Sequence, residues 1–212
     1  IRRKGKRSRF KSKKEASWLY WKIIEMNYLF WDTERIRNTK IYMSAVILTD
    51  EKFNVIKEER GIDLGVDVSS RHAPKRKVAE LKDESTLFPD FESHANSLMS
   101  YLNSAVSVCF GKDDFVSLND QLKIHNMAEL KGSYYDLQMF VHSIKSENLS
   151  NLAAVSKYLN VKHNAHDPLS DSYVTMELFK YLKSNYDIEE AKLPIPNKNV
   201  ILDIEVNGTL IA

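Results

Sequence analysis

Asp32 and Glu34, in the stretch YLFWDTER (28–35), stand two residues apart at the end of an apolar and aromatic run. Side chains two apart on a strand point to the same face. Two neighbouring carboxylates repel each other, and burial sharpens the conflict. A bound divalent cation removes it, and a set of hard oxygen ligands suits Mg²⁺ or Mn²⁺. Alone, a D-x-E pair is common, and a solvated turn with Arg35 and Arg37 as partners also accounts for it. Two further stretches add to it. CFGKDDFVSL (109–118) places Asp113 and Asp114 after an apolar run. HNAHDPLSDSYVTMELF (163–179) places His166 five residues before Asp171. Asp167 is suited to cap a helix there, with Pro168 in its first position. His166 then stays on the loop, Asp171 falls in the first turns, and Thr175 lies one turn on, with Leu178 and Phe179 docking the helix.

The elements that must position these groups read as follows. Tyr28–Trp31 is a buried strand, Ile41–Leu48 a second, and Phe53–Lys57 the third of a meander. Residues 58–83 are polar, with Gly61, Gly65 and Pro74, and read as loop with a short helix near Lys77–Leu81. Phe88–Leu102 has a helical period with Pro89 in its first turn. A strand over Val106–Phe110, a helix over Asp114–Leu122 and a strand over Tyr134–Leu137 come next. Helices follow over Leu149–Leu159 and Pro168–Lys183. Residues 15–25 have a short helical pattern carrying Trp18 and Trp21. Residues 193–212 return to alternation, with Asn207-Gly208 as a hairpin signal. Strands first, then alternating helices and strands, imply an α/β fold with a mixed sheet.

The 212 residues, 43% hydrophobic and 28% charged, suit one domain with a sizeable core. No run approaches the ~20 apolar residues of a membrane span. One cysteine, Cys109, excludes an internal disulfide framework and a cysteine-rich zinc site, makes a reducing cytoplasmic setting the expectation, and itself reads as a small core residue. The net charge of +2 conceals an asymmetry: residues 1–14 hold nine Lys or Arg and no acid, which leaves 22 basic against 29 acidic residues in the remainder. Residues 1–25 therefore read as a basic extension. A solvated tail is its simplest description; a nucleic-acid-binding arm, a targeting segment or sequence upstream of a start at Met26 are the alternatives.

In this order and spacing the motifs resemble those of the DEDDh, DnaQ-like 3′–5′ exonucleases. Asp32 and Glu34 match the family's D-x-E. FGKDDFVSL matches F-G-x-x-D-x-x-x-L, with the aspartate at Asp114. HDPLSDSYVTMELF matches H-x-x-x-x-D-x-x-x-T-x-x-L-F, with His166 and Asp171 in place. YYDLQMFV followed by LSNLAAVSKYLNV is similar to the family's strand and helix between the second and third motifs. The likeness covers residues 28–184. Arg35 stands where the family commonly has Thr, and Ser172 where it has Ala.

The resemblance implies a ribonuclease H-like fold: a mixed five-stranded sheet, antiparallel meander first, flanked by helices. The exonuclease domain would span 26–190, between the basic extension and a β-like extension at 191–212. It implies hydrolysis of phosphodiester bonds at single-stranded nucleic-acid 3′ ends with two divalent cations, Mg²⁺ or Mn²⁺, releasing nucleoside 5′-monophosphates. Asp32, Glu34, Asp114 and Asp171 would be the metal ligands, and His166 would accept the proton of the attacking water. The form of the second motif leans towards RNA over DNA. His163 is the rival to His166, and Asp113 the rival to Asp114. His72, His94, His125 and His142 show no partner pattern. Two other functions remain open on sequence: an inactive nucleic-acid-binding module of the same fold, and a ribonuclease H-type endonuclease.

Overall fold

The computed structural model describes residues 27–36, 40–67 and 74–196. The basic stretch, the helix expected over 15–25 with Trp18 and Trp21, His72, and the hairpin at Asn207-Gly208 all lie outside these residues. β1 (Tyr28–Ile36), β2 (Lys40–Thr49) and β3 (Val55–Asp63) form the antiparallel meander. β4 (Thr86–Phe88) adds parallel to β3. On the other side of β1 lie β5 (Val106–Cys109) and β6 (Ser133–Asp136), both parallel, and then β7 (Lys192–Pro194), antiparallel. The sheet therefore has seven strands in the order β4-β3-β2-β1-β5-β6-β7. The expected mixed sheet with a leading meander is present, and the count of five is corrected by two three-residue edge strands, β4 and β7.

Among the described residues, six helices flank the sheet: α1 (Pro74–Leu81), α2 (Phe91–Leu102), α3 (Asp113–Ile124), α4 (Leu137–Ser143), α5 (Leu152–Leu159) and α6 (Pro168–Asn185). Alternation along β1 sorts them. Tyr28 and Phe30 face α6 and pack with Val174, Phe179 and Leu182. Leu29 and Trp31 face the opposite way, towards Phe91 and Leu98 of α2 and Phe115 and Leu118 of α3. Phe30, Trp31, Phe115 and Phe179 are fully buried; each such side chain contributes roughly 1.5–3 kcal/mol over an exposed one.

Local chemistry sets several boundaries differently from the expectation. α2 begins after Asp90, whose carboxylate accepts from Ser93 N at 2.8 Å, so Pro89 precedes the cap. The expected strand over Tyr134–Leu137 stops at Asp136, which accepts from Met139 N and starts α4. α5 opens at the Asn151 cap, after a 3₁₀ turn at Glu147–Leu149. β3 runs on through residues 58–63, the stretch that reads as loop.

Candidate active site

β1, β5 and β6 are parallel, so their carboxyl ends share one edge of the sheet, the side where open α/β sheets bind ligands. Asp32 and Glu34 lie at that end of β1. The β1–β2 register shifts between Glu34 and Arg35; an irregularity of this kind re-aims side chains beside a site. Both carboxylates keep the face of Phe30 and look towards α6. There Asp167 caps the helix, accepting from Leu169 N, and Pro168 occupies the first turn, as their types imply. The cap fixes the first turn of α6 and places Asp171 opposite β1. Oxygens of Asp32, Glu34 and Asp171 all lie within 4.8 Å of one another.

Asp114 stands beside this trio. It is buried at the start of α3, and its Oδ1 accepts from Thr33 N at 3.2 Å and Thr33 Oγ1 at 2.5 Å. Thr33 faces α3 because it lies between Asp32 and Glu34 on a strand. Asp113, by contrast, is exposed. Arg35 Nη1 reaches the same helix start, donating to Asp113 O at 3.0 Å and to Ser117 Oγ at 2.8 Å. At the position where the resemblance leads one to expect Thr, the chain thus has a clamp between β1 and α3.

The charges are out of balance. Burial raises Asp32 well above the ordinary aspartate value, and the charges of Asp114, Asp171 and Glu34 add to it, against Arg35. Burial also raises Glu34, opposed by the His166 charge and reinforced by Asp171 and Asp114. Asp114 is raised by burial, with the Thr33 bonds and Arg35 opposing. Asp171 is raised by burial, with His163 opposing first. Four acids pushed the same way describe a concentration of negative charge that Arg35, His163 and His166 offset only in part. A hard divalent cation with oxygen ligands fits such a set.

His166 of the third motif and His163, three residues before it, both reach the acids, in different ways. His166 has a left-handed φ of 62° and a side chain 83% exposed, with Nδ1 3.5 Å from Glu34 Oε1. His163 points inward, Nε2 2.5 Å from Asp171 Oδ1, both side chains 10% exposed. Of the other histidines, His125 pairs with Glu92 at 2.6 Å. His94 is buried against Ser44 and stacked on Phe88, and burial lowers it to about 4. His142 is exposed, and Cys109 is a buried free thiol.

Sequence reading missed Thr33, the Arg35 clamp and Arg60. Arg60 is buried and grips Asp167 with Nε at 3.2 Å and Nη2 at 3.0 and 3.1 Å from its two oxygens. Asp32, Ala45 and Arg60 form one row across β1, β2 and β3. Thr33 was findable, as the residue facing away between two acids of one face. Arg60 was not, because its role depends on strand pairing.

No family model and no curated protein matches the sequence. Solved structures do match. A 3′-exonuclease whose structure shows 3′-end specific recognition of a histone mRNA stem-loop superposes with a TM-score of 0.57 at 11% identity, covering 87% of this chain and 77% of its own. E. coli exonuclease I in complex with a dT13 oligonucleotide gives 0.56 at 17% identity over 76% of this chain. A full-length 3′-exonuclease gives 0.54 at 10% identity, covering 82% of this chain and 92% of its own. The chain spans 41% of the length of exonuclease I. The chain thus shares the mixed α/β, ribonuclease H-like fold of these structures. Among the described residues, no helix is long and apolar enough to cross a membrane.

Proposed function

We propose that residues 26–190 form a metal-dependent 3′–5′ exonuclease domain. It hydrolyses phosphodiester bonds at single-stranded nucleic-acid 3′ ends, RNA somewhat ahead of DNA, and releases nucleoside 5′-monophosphates. One observation carries this reading: three carboxylates from two elements converge within 4.8 Å of one another, beside an exposed imidazole, in a fold shared with 3′-exonucleases.

Asp32, Glu34 and Asp171 would hold one Mg²⁺ or Mn²⁺, and Asp32 with Asp114 a second. When bound, the two ions supply an activated water and neutralise the charge that develops on the scissile phosphate. The chain does the rest. Thr33 fixes Asp114 by two hydrogen bonds, so that carboxylate is oriented before substrate arrives. His166, on its loop and free of packing, takes the proton from the attacking water, and Glu34 holds its ring near the acids. General-base help of this kind contributes about 10²–10⁴-fold. The Asp167 cap and its Arg60 partner keep the loop end of α6 in place.

The test uses 5′-labelled single-stranded RNA and DNA with Mg²⁺, Mn²⁺ or a chelator. Stepwise shortening from the 3′ end with release of 5′-mononucleotides, abolished by chelator, is the expected result. Binding without cleavage would identify an inactive module, and internal cuts in a circular strand an endonuclease; either result overturns the proposal.

A further inference from the structure

We infer that His163 is a positioning residue: its Nε2–H holds Asp171 in the orientation that completes the cation site, while His166 alone serves as proton acceptor. This rests on the function proposed above and assigns separate tasks to two histidines three residues apart.

The geometry separates them. An ionised carboxylate, the form that holds a cation, can only accept, so with Asp171 ionised the 2.5 Å contact has its proton on His163 Nε2. That bond occupies one lone pair of Asp171 Oδ1 and leaves its other lone pair, and all of Oδ2, for a cation. Both side chains are 10% exposed, so the imidazole is enclosed where His166 is open. A proton acceptor must meet the attacking water; an enclosed ring already bonded to a ligand carboxylate is placed to orient that ligand instead.

Asp171 needs such a partner. Its carboxylate is buried beside Asp32 and Glu34, and among the described residues its one side-chain hydrogen bond is to His163. The imidazole can impose an orientation because the loop that bears it is anchored independently of Asp171. Asn160 ends α5 in a left-handed conformation. Val161 N donates to Ser156 O at 2.9 Å, and Ser156 Oγ donates to Val161 O at 2.9 Å. Asn164 N donates to Ser170 Oγ at 2.8 Å, and Lys77 Nζ to Asn164 Oδ1 at 3.1 Å. Asp167 N closes the turn on Asn164 O at 3.1 Å. These bonds bracket His163 on both sides and would survive replacement of its ring.

Glutamine distinguishes the two roles, since its amide can donate from near the Nε2 position but cannot take a proton. The experiment measures Mn²⁺ binding to the full chain by electron paramagnetic resonance, with mononucleotide release in parallel. Samples are the wild type, His163→Ala, His163→Gln and His166→Ala, each checked by thermal melting. Loss of such an outer hydrogen bond to a ligand typically weakens metal affinity about 10–100-fold. His163→Ala is expected to weaken Mn²⁺ binding about tenfold and to raise by a similar factor the Mn²⁺ needed for half-maximal activity. His163→Gln should restore both to within about threefold, and His166→Ala should bind Mn²⁺ normally while losing turnover. Wild-type affinity in a folded His163→Ala overturns the inference and leaves the proposed function standing. A His163→Gln that binds Mn²⁺ normally yet loses turnover as His166→Ala does would make His163 the proton acceptor and also overturn it. Absence of Mn²⁺ binding in the wild type defeats this inference and the proposed function together.

Discussion

Two groups of buried charge lie on the same face of the sheet and are treated in opposite ways. Arg60 and Asp167 neutralise each other through hydrogen bonds to both carboxylate oxygens. Asp32, Glu34 and Asp171 are charges of one sign, touched by His163 and His166 but paired with no Lys or Arg within salt-bridge distance among the described residues. A buried pair satisfied internally is scaffold; removing one partner leaves a charge stranded. A cluster that the protein leaves unsatisfied is less stable alone than it would be with a cation bound. The first holds the helix carrying Asp171, and the second is the part proposed to do chemistry.

The largest effect should come from the unsatisfied group. Asp32→Asn is expected to lower mononucleotide release at least ~10³-fold, about 4 kcal/mol of transition-state stabilisation, while the fold persists by circular dichroism. Retained activity would sink the assignment of Asp32. The satisfied pair should show the reverse pattern. Arg60→Met is expected to destabilise the fold by about 3–5 kcal/mol, the usual consequence of stranding a buried charge. Adding Asp167→Asn, which keeps the helix cap but drops the charge, should recover part of this in chemical denaturation. If the two changes simply add, the pair is not a coupled unit.

Next in size is the response to cation. At a hundredfold excess over its Kd, Mn²⁺ should raise unfolding free energy by about 2.7 kcal/mol, seen as a higher Tm, and the gain should vanish in Asp32→Asn. A Tm indifferent to Mn²⁺ would mean that the trio is no cation site. The smallest effect concerns pH. The four acids are all raised in the folded state. Their protonated forms are therefore favoured by folding. This contribution is complete below the unfolded values near ~4 and is lost as pH rises through the folded ones. The metal-free protein should melt progressively lower as pH rises above the unfolded carboxylate values. Asp32→Asn should flatten that slope, and a melting curve that steepens instead would contradict the direction of the shifts.

The same contrast explains what the sequence made legible. The meander, α2, α3 and α6 follow from apolar periodicity and from caps such as Asp167-Pro168, because one face of each element is buried. The spacing of Asp32, Glu34, His166 and Asp171 is local to two elements, so the motifs could be read in one dimension. β3 was cut short because its second half, residues 58–63, is polar and carries Gly61, although Arg60–Asp63 are buried. β4 and β7 are three-residue edges whose existence depends on a neighbour, and Thr86–Phe88 otherwise reads as the run-up to a helix. α4 was hidden because Asp136 ends a strand and caps a helix at one point. The role of Arg60 and the Asp171 contact of His163 were beyond sequence for the same reason: each depends on a partner, Asp167 or Asp171, brought to it by folding.

The central claim is spatial, and anomalous X-ray scattering from crystals grown with Mn²⁺ tests it most directly. The account predicts anomalous density in contact with carboxylate oxygens of Asp32, Glu34 and Asp171, next to the His166 loop. Mn²⁺ found only elsewhere on the molecule, with those three carboxylates turned away from one another, would contradict it.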